Sequence, residues 1–205
     1  MSKSSSFFLA LVVSVATLAL VPGCSKQAKL ERHLSRGNEY FQAKKYREAE
    51  IEYKNVLRIQ PNTIAMRNLG MIYFEQGRLP HALVVLQTVK GMAADDLEVR
   101  LKLGIAYLLN WKLKEAREEA NFVLSKQPTN DDALVLLGDA AVGTNEIREA
   151  FKQLESLRPQ AGNRSGFHTA LGTLQVRQND LNKAEASFRQ AIALDGKSSA
   201  PCRVG

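Results

Sequence analysis

Gly37-Asn38-Glu39-Tyr40-Phe41-Gln42-Ala43-Lys44-Lys45-Tyr46-Arg47-Glu48-Ala49 is the stretch that decides the fold. Its glycine and its last alanine stand 12 residues apart, and an aromatic pair follows the glycine by three and four positions. The same frame returns down the chain. Gly70, Gly104, Gly138 and Gly172 follow Gly37 at spacings of 33, 34, 34 and 34 residues, and Ala82, Ala116, Ala150 and Ala184 keep the offset of 12. Three residues after the glycine come Tyr40, Tyr73 and Tyr107, then the departures Ala141 and Gln175. Four residues after the alanine come Tyr53, Leu86, Ala120, Leu154 and Phe188. A fixed period of this length signals stacked structural units. In the third unit Leu97, Leu101, Gly104, Ile105 and Leu108 share one helical face, and Ala116, Ala120, Val123 and Leu124 share another. No stretch alternates apolar and polar residues long enough to argue for a strand. Small residues at the glycine and alanine positions let two antiparallel helices approach closely. One such hairpin cannot bury its apolar face alone, so the units must stack on their neighbours.

This pattern resembles the tetratricopeptide repeat, a helix–turn–helix unit of about 34 residues. The resemblance implies an all-α, right-handed superhelical solenoid of about five units over residues 30–196. Asp95-Asp96 and Asn130-Asp131 stand where they cap first helices. Gly77 marks a hairpin turn, and Pro80 sits near the start of the helix after it. Pro61 and Pro128 close the first and third units, while Pro159 falls early in the fourth. Residues 197–205 read as the start of a further, truncated repeat with no polar capping helix after it.

Ahead of the repeats, residues 1–23 read as a leader: Lys3, a serine cluster, then the apolar run Phe7–Val21. That run is short for a membrane span. It stops at Leu20-Val21-Pro22-Gly23-Cys24, which resembles a bacterial lipobox. The resemblance implies a lipoprotein signal peptide over 1–23, and cleavage that leaves Cys24 first, with a diacylglycerol (and palmitate-type acyl chains) on it. Several acyl chains on one cysteine anchor firmly. Residues 24–29 then read as a lipidated linker, with Lys26, Lys29 and Arg32 either simply solvated, as charges at a helix start usually are, or set against anionic head groups. Ser25 rather than Asp after the cysteine points to the outer membrane, facing the periplasm.

Composition narrows the function. The 205 residues carry 28 Lys+Arg, 21 Asp+Glu and a net charge of +7, with no basic stripe of the kind a nucleic-acid binder uses. Two cysteines, Cys24 and Cys202, make neither a disulfide framework nor a four-ligand metal site. His33, His81 and His168 fall on separate units, and Glu118-Glu119 read as an exposed helical face. No nucleophile, base or metal set converges, so the chain reads as a non-enzyme with no catalytic residue, metal, cofactor or small-molecule substrate.

In tetratricopeptide arrays the first helix of each unit lines a concave groove. Carried onto this sequence, that assigns Phe41, Arg67, Met71, Phe74, Leu101, Ile105 and Leu108 to a groove for a protein or peptide partner. Packing against the adjacent helix is the competing role for Phe41, Met71, Phe74 and Leu108. Chaperone-binding members carry a clamp for a peptide carboxylate. Here Asn38, Asn68 and Lys102 occupy three of its five positions, but Leu34 and Glu98 replace two cations, so a clamp is not expected. Trp111, at a hairpin turn, reads either as a contact residue or as a lid over the turn.

Lipobox and repeats together resemble the N-terminal part of the PEP-CTERM/exosortase-system tetratricopeptide lipoproteins. That likeness implies a membrane-anchored interaction scaffold serving exopolysaccharide production and PEP-CTERM protein sorting. Two other expectations share the fold: an assembly lipoprotein for type IV pili or outer-membrane secretion, and a periplasmic part of a polysaccharide synthase or export machine.

Overall fold

The computed structural model describes residues 22–198, with side chains from Ser25 to Asp195. Among the described residues ten helices follow one another: α1 (Pro22–Gln42), α2 (Tyr46–Ile59), α3 (Thr63–Glu75), α4 (Leu79–Met92), α5 (Leu97–Leu109), α6 (Leu113–Lys126), α7 (Asp131–Asp139), α8 (Thr144–Ala161), α9 (Ser165–Arg177) and α10 (Leu181–Ser198). There is no strand among the described residues, and the fold is the all-α solenoid that the period predicts. Residues 1–21 of the leader read over 1–23, the side chain of Cys24, and residues 199–205 with Cys202 lie outside the described residues; Pro22 and Gly23 are in α1.

Two boundaries differ from expectation. Residues 24–29, read as a linker, are the beginning of α1. Nothing between Cys24 and Gln42 breaks a helix except Gly37, and Gln27 donates to Glu31 one turn on at 2.9 Å. Likewise α10 continues through Ser198 instead of stopping at Gly196.

Four of the five hairpins turn by one device. Lys44 (φ 55°), Gly77 (φ 69°), Trp111 (φ 57°) and Asn179 (φ 62°) each adopt left-handed backbone. The amide of the next residue donates back five positions: Lys45 to Tyr40 and Arg78 to Tyr73 at 2.8 Å, Lys112 to Tyr107 and Asp180 to Gln175 at 2.9 Å. This is the Schellman ending, which satisfies the last carbonyls of the first helix and reverses the chain. On the entry side Asn62, Asp96 and Asn130 accept from Ala65, Val99 and Ala133 amides, so the expected caps of α5 and α7 are present.

The fourth unit departs. Its first helix, α7, has 9 residues where α3, α5 and α9 have 13. Asn145 stands at the position of the left-handed residue but lies inside α8, which begins early at Thr144. The junction has moved one turn towards α7, because Gly143 takes extended backbone (φ −76°, ψ 159°) and Thr144 opens the next helix.

Partner choice changes with it. A Cβ at Gly37, Gly70 or Gly172 would meet Tyr53, Leu86 or Phe188, each on the second helix of the same unit. A Cβ at Gly138 would instead lie 2.9 Å from the Cα of Ala170, on α9 of the next unit. At the other end of the pair, a Cβ on Gly166 would lie 2.5 Å from the carbonyl oxygen of Asp131. α7 therefore packs closely along α9 and hardly touches α8, which leans on α9. Five equivalent hairpins, the expectation from the period, become three hairpins followed by an interlocked pair of units. Ala49, Ala82, Ala116, Ala150 and Ala184 are all buried, so the alanine frame still faces the core.

Candidate functional site

The row of residues four after each repeat glycine is Phe41, Phe74, Leu108, Val142 and Val176. The first three are half-buried and rest on the core, as is Ile105. Val142 and Val176 are each 46% exposed. Met71, at 3% exposed, and Leu101, at 8%, are core residues packed with Leu69, Tyr73 and Leu103. Their assignment to an open groove is corrected: first helices of successive units lie side by side, and a side chain aimed along that row is covered by the next helix.

Arg67 is a strut between units two and three. Its Nε donates to Asp96 at 2.7 Å, an Nη donates to Glu98, and the other Nη donates to Asn68 at 3.3 Å. Burial works against its charge, and the two carboxylates more than restore it, so its pKa lies above the usual arginine value. Lys102 donates to Glu75 at 3.1 Å and lies 4.7 Å from the ring centroid of Phe74, covering that ring with a cation.

The positions of a carboxylate clamp are occupied internally. Tyr53 donates its hydroxyl to Asn38 at 2.9 Å, and Asn68 donates to Tyr53 at 2.8 Å. With Lys102 on Glu75, the three residues that fit the clamp are engaged within the solenoid.

Glu119 corrects a second expectation. Glu118 is exposed, but Glu119 is 1% exposed and accepts from Lys90 on α4 and from Arg100 on α5 (3.0 Å). The Arg100 guanidinium also stacks on Phe122, 3.6 Å from its centroid. Burial, together with the Glu119 charge, pushes the Tyr107 hydroxyl above its ordinary pKa. No local signal announces this triad, since the two cations precede Glu119 by 29 and 19 residues.

The histidines are structural. His33 meets Glu52 at 2.5 Å, His81 packs on Tyr73 with centroids 5.5 Å apart, and His168 contacts the Gly162 carbonyl at 2.9 Å. Among the described residues, no three His, Cys, Asp or Glu side chains group as metal ligands.

Beside the shortened α7 lies an apolar notch of about 480 Å³, lined by Leu108, Leu109, Trp111, Leu113, Asp139, Val142 and Arg177. Trp111 is 80% exposed, so it does not close over its turn. Arg177 donates to the Gly138, Asp139 and Ala141 carbonyls at the end of α7, and Arg117 donates to Ala140 at 2.7 Å. Each arginine belongs to a unit flanking α7, and together they satisfy the helix end that lacks a Schellman turn. Burial raises the Asp139 carboxyl pKa, and Arg177 offsets this only in part. The backbone strain at Trp111 and the loss of the fourth turn are the features of this site that spacing alone does not reveal.

Sequence models of the tetratricopeptide repeat match residues 34–96 and 166–198. Those two stretches carry tetratricopeptide repeats. It is 25% identical over 151 residues to the human protein O-mannosyl-transferase TMTC1, an alignment covering 72% of this chain and 17% of that protein. The chain thus spans about a sixth of the length of that relative. Among solved structures, MamA (residues 41 to the end) from Desulfovibrio magneticus RS-1 superposes with a TM-score of 0.70 at 18% identity, over 84% of this chain and 98% of that one. A tetratricopeptide repeat protein from Parabacteroides merdae superposes with a TM-score of 0.69 at 17% identity, over 81% of this chain and 66% of that one. These likenesses fix the fold. Repeats of this kind make a protein-interaction scaffold, typically without enzymatic activity.

Proposed function

We propose that the chain is a lipid-anchored scaffold of the bacterial cell envelope, binding a protein partner for exopolysaccharide production and PEP-CTERM protein sorting. The observation that carries this reading is the junction at Cys24. The apolar run Phe7–Val21 stops beside the cysteine, and α1 carries the chain from there into the repeats. Lys26, Lys29, Arg32 and Arg36 are exposed along α1, in keeping with an anionic membrane surface close by. The binding face is the inner row Phe41, Phe74, Ile105 and Leu108, now without Met71 and Leu101. Mannosyl transfer, named for the human relative, is not carried over, because the alignment covers only 17% of that protein.

The test is anchoring. Cys24→Ser is expected to abolish labelling by a palmitate analogue and to move the protein out of the membrane fraction. Unchanged labelling and fractionation would overturn the anchor, and with it the envelope role.

A further inference from the structure

We propose that the notch beside α7 is a docking site for a peptide segment of the partner that carries aliphatic side chains next to a lysine or arginine. This rests on the scaffold reading and names the chemistry of one contact. The notch exists because α7 ends at Asp139 while α5 runs to Leu109 and α9 to Arg177 on either side. Its volume of about 480 Å³ is in the range of ligand pockets. Leu108, Leu109, Leu113 and Val142 give it apolar walls.

Trp111 is the second observation. The left-handed position of the other turns holds Lys44, Gly77 and Asn179. A bulky side chain there is strained, and this indole recovers nothing by burial, being 80% exposed. A large aromatic held outward at a cost in strain is suited to anchor a partner.

Charge then selects the occupant. The notch lining holds one carboxylate, Asp139, and one cation, Arg177. The Arg177 donors are turned onto the carbonyls of Gly138, Asp139 and Ala141. No described residue donates a hydrogen bond to the Asp139 carboxylate. An incoming cation therefore finds an available acceptor and an exposed aromatic face. An incoming anion finds a carboxylate and an arginine already engaged.

Trp111 is the one tryptophan in the chain, so its emission reads the site directly. The probes are two capped pentapeptides, glycine-leucine-lysine-leucine-glycine and its counterpart with glutamate for lysine. The lysine peptide is expected to shift the emission saturably, and the glutamate peptide to bind roughly tenfold more weakly or worse. Asp139→Asn is expected to remove that preference. Trp111→Gly, followed by calorimetry, is expected to weaken the lysine peptide by about tenfold with helicity retained. The proposal is overturned if the peptides bind equally, if Asp139→Asn keeps the preference, or if phosphatidylglycerol vesicles shift the emission and the peptides do not. Fractionation of Cys24→Ser is read separately, so failure here leaves the anchor standing.

Discussion

Units three and four carry the same frame, Gly104 with Ala116 and Gly138 with Ala150, yet they use it differently. In unit three, α5 and α6 close on each other through a Schellman turn at Trp111, and the unit is tied back to unit two by Lys90, Arg100 and Glu119. In unit four the turn has no left-handed residue, α7 is a turn short, and its glycine is spent on α9. Identical spacing therefore fixes that a close approach will occur, while its partner varies: Gly104 faces the Leu136 side chain on α7 and Glu119 on α6, and Gly138 faces the Ala170 backbone on α9. One joint is ionic and side-chain based, and the other is backbone against backbone.

That contrast can be broken experimentally, and the largest effect is expected at the ionic joint. Glu119→Ala leaves two cations facing a buried gap and is expected to cost about 3–5 kcal/mol by urea denaturation. A cost under about 1 kcal/mol would mean that water already screens the triad. Next comes the backbone joint. The added methyl of Gly166→Ala meets the Asp131 backbone, which cannot yield, and is expected to cost about 2–3 kcal/mol. Gly70→Ala meets only side chains, Leu86 and Val85, which can shift, and alanine's higher helix propensity, about 1 kcal/mol, offsets much of that strain. Equal losses at the two glycines would erase the distinction between the joints.

Smaller effects sharpen the picture of the fourth unit. Arg177→Ala releases three carbonyls at the end of α7 and is expected to cost about 1–2 kcal/mol. Arg189→Ala, on an exposed pair with Glu185, is expected to stay within about 0.5 kcal/mol. Trp111→Gly relieves left-handed strain and is expected to stabilise by about 1 kcal/mol. Asp139→Asn carries the smallest change and a defined pH sign. Its carboxyl pKa is raised on folding, so the acid form favours the native state below the unfolded pKa, and that contribution is lost as pH rises through the folded value. The variant is therefore expected to be slightly more stable than the parent at pH 7, with the advantage gone below about pH 4.

The repeat count, the helical class, the caps at Asp96 and Asn130 and the buried alanines were legible in the sequence, because periodicity and capping are local. The turn at Gly77 was legible too. Trp111 was placed at a turn as well, but its left-handed backbone was not legible, nor were the turns at Lys44 and Asn179, since a left-handed position filled by a non-glycine residue leaves no compositional mark. The shift in unit four had two faint signals, Ala141 in place of tyrosine and the Gly143-Thr144 break, neither of which disturbs the period. Met71, Leu101 and Glu119 were misplaced for one reason. Their surroundings come from other helices, and a helical wheel sees only its own.

The grip of α9 on α7 bears on how such a chain can evolve. Arrays of interchangeable repeats lengthen and shorten by recombination that inserts or deletes whole units. Excising residues 131–164 would strip α9 of the helix it is fitted to, and excising residues 165–198 would leave the end of α7 without Arg177. Units four and five are thus fitted to each other backbone to backbone and would be expected to travel as a cassette of two, whereas units two and three are joined through side chains, at Arg67 and at Glu119.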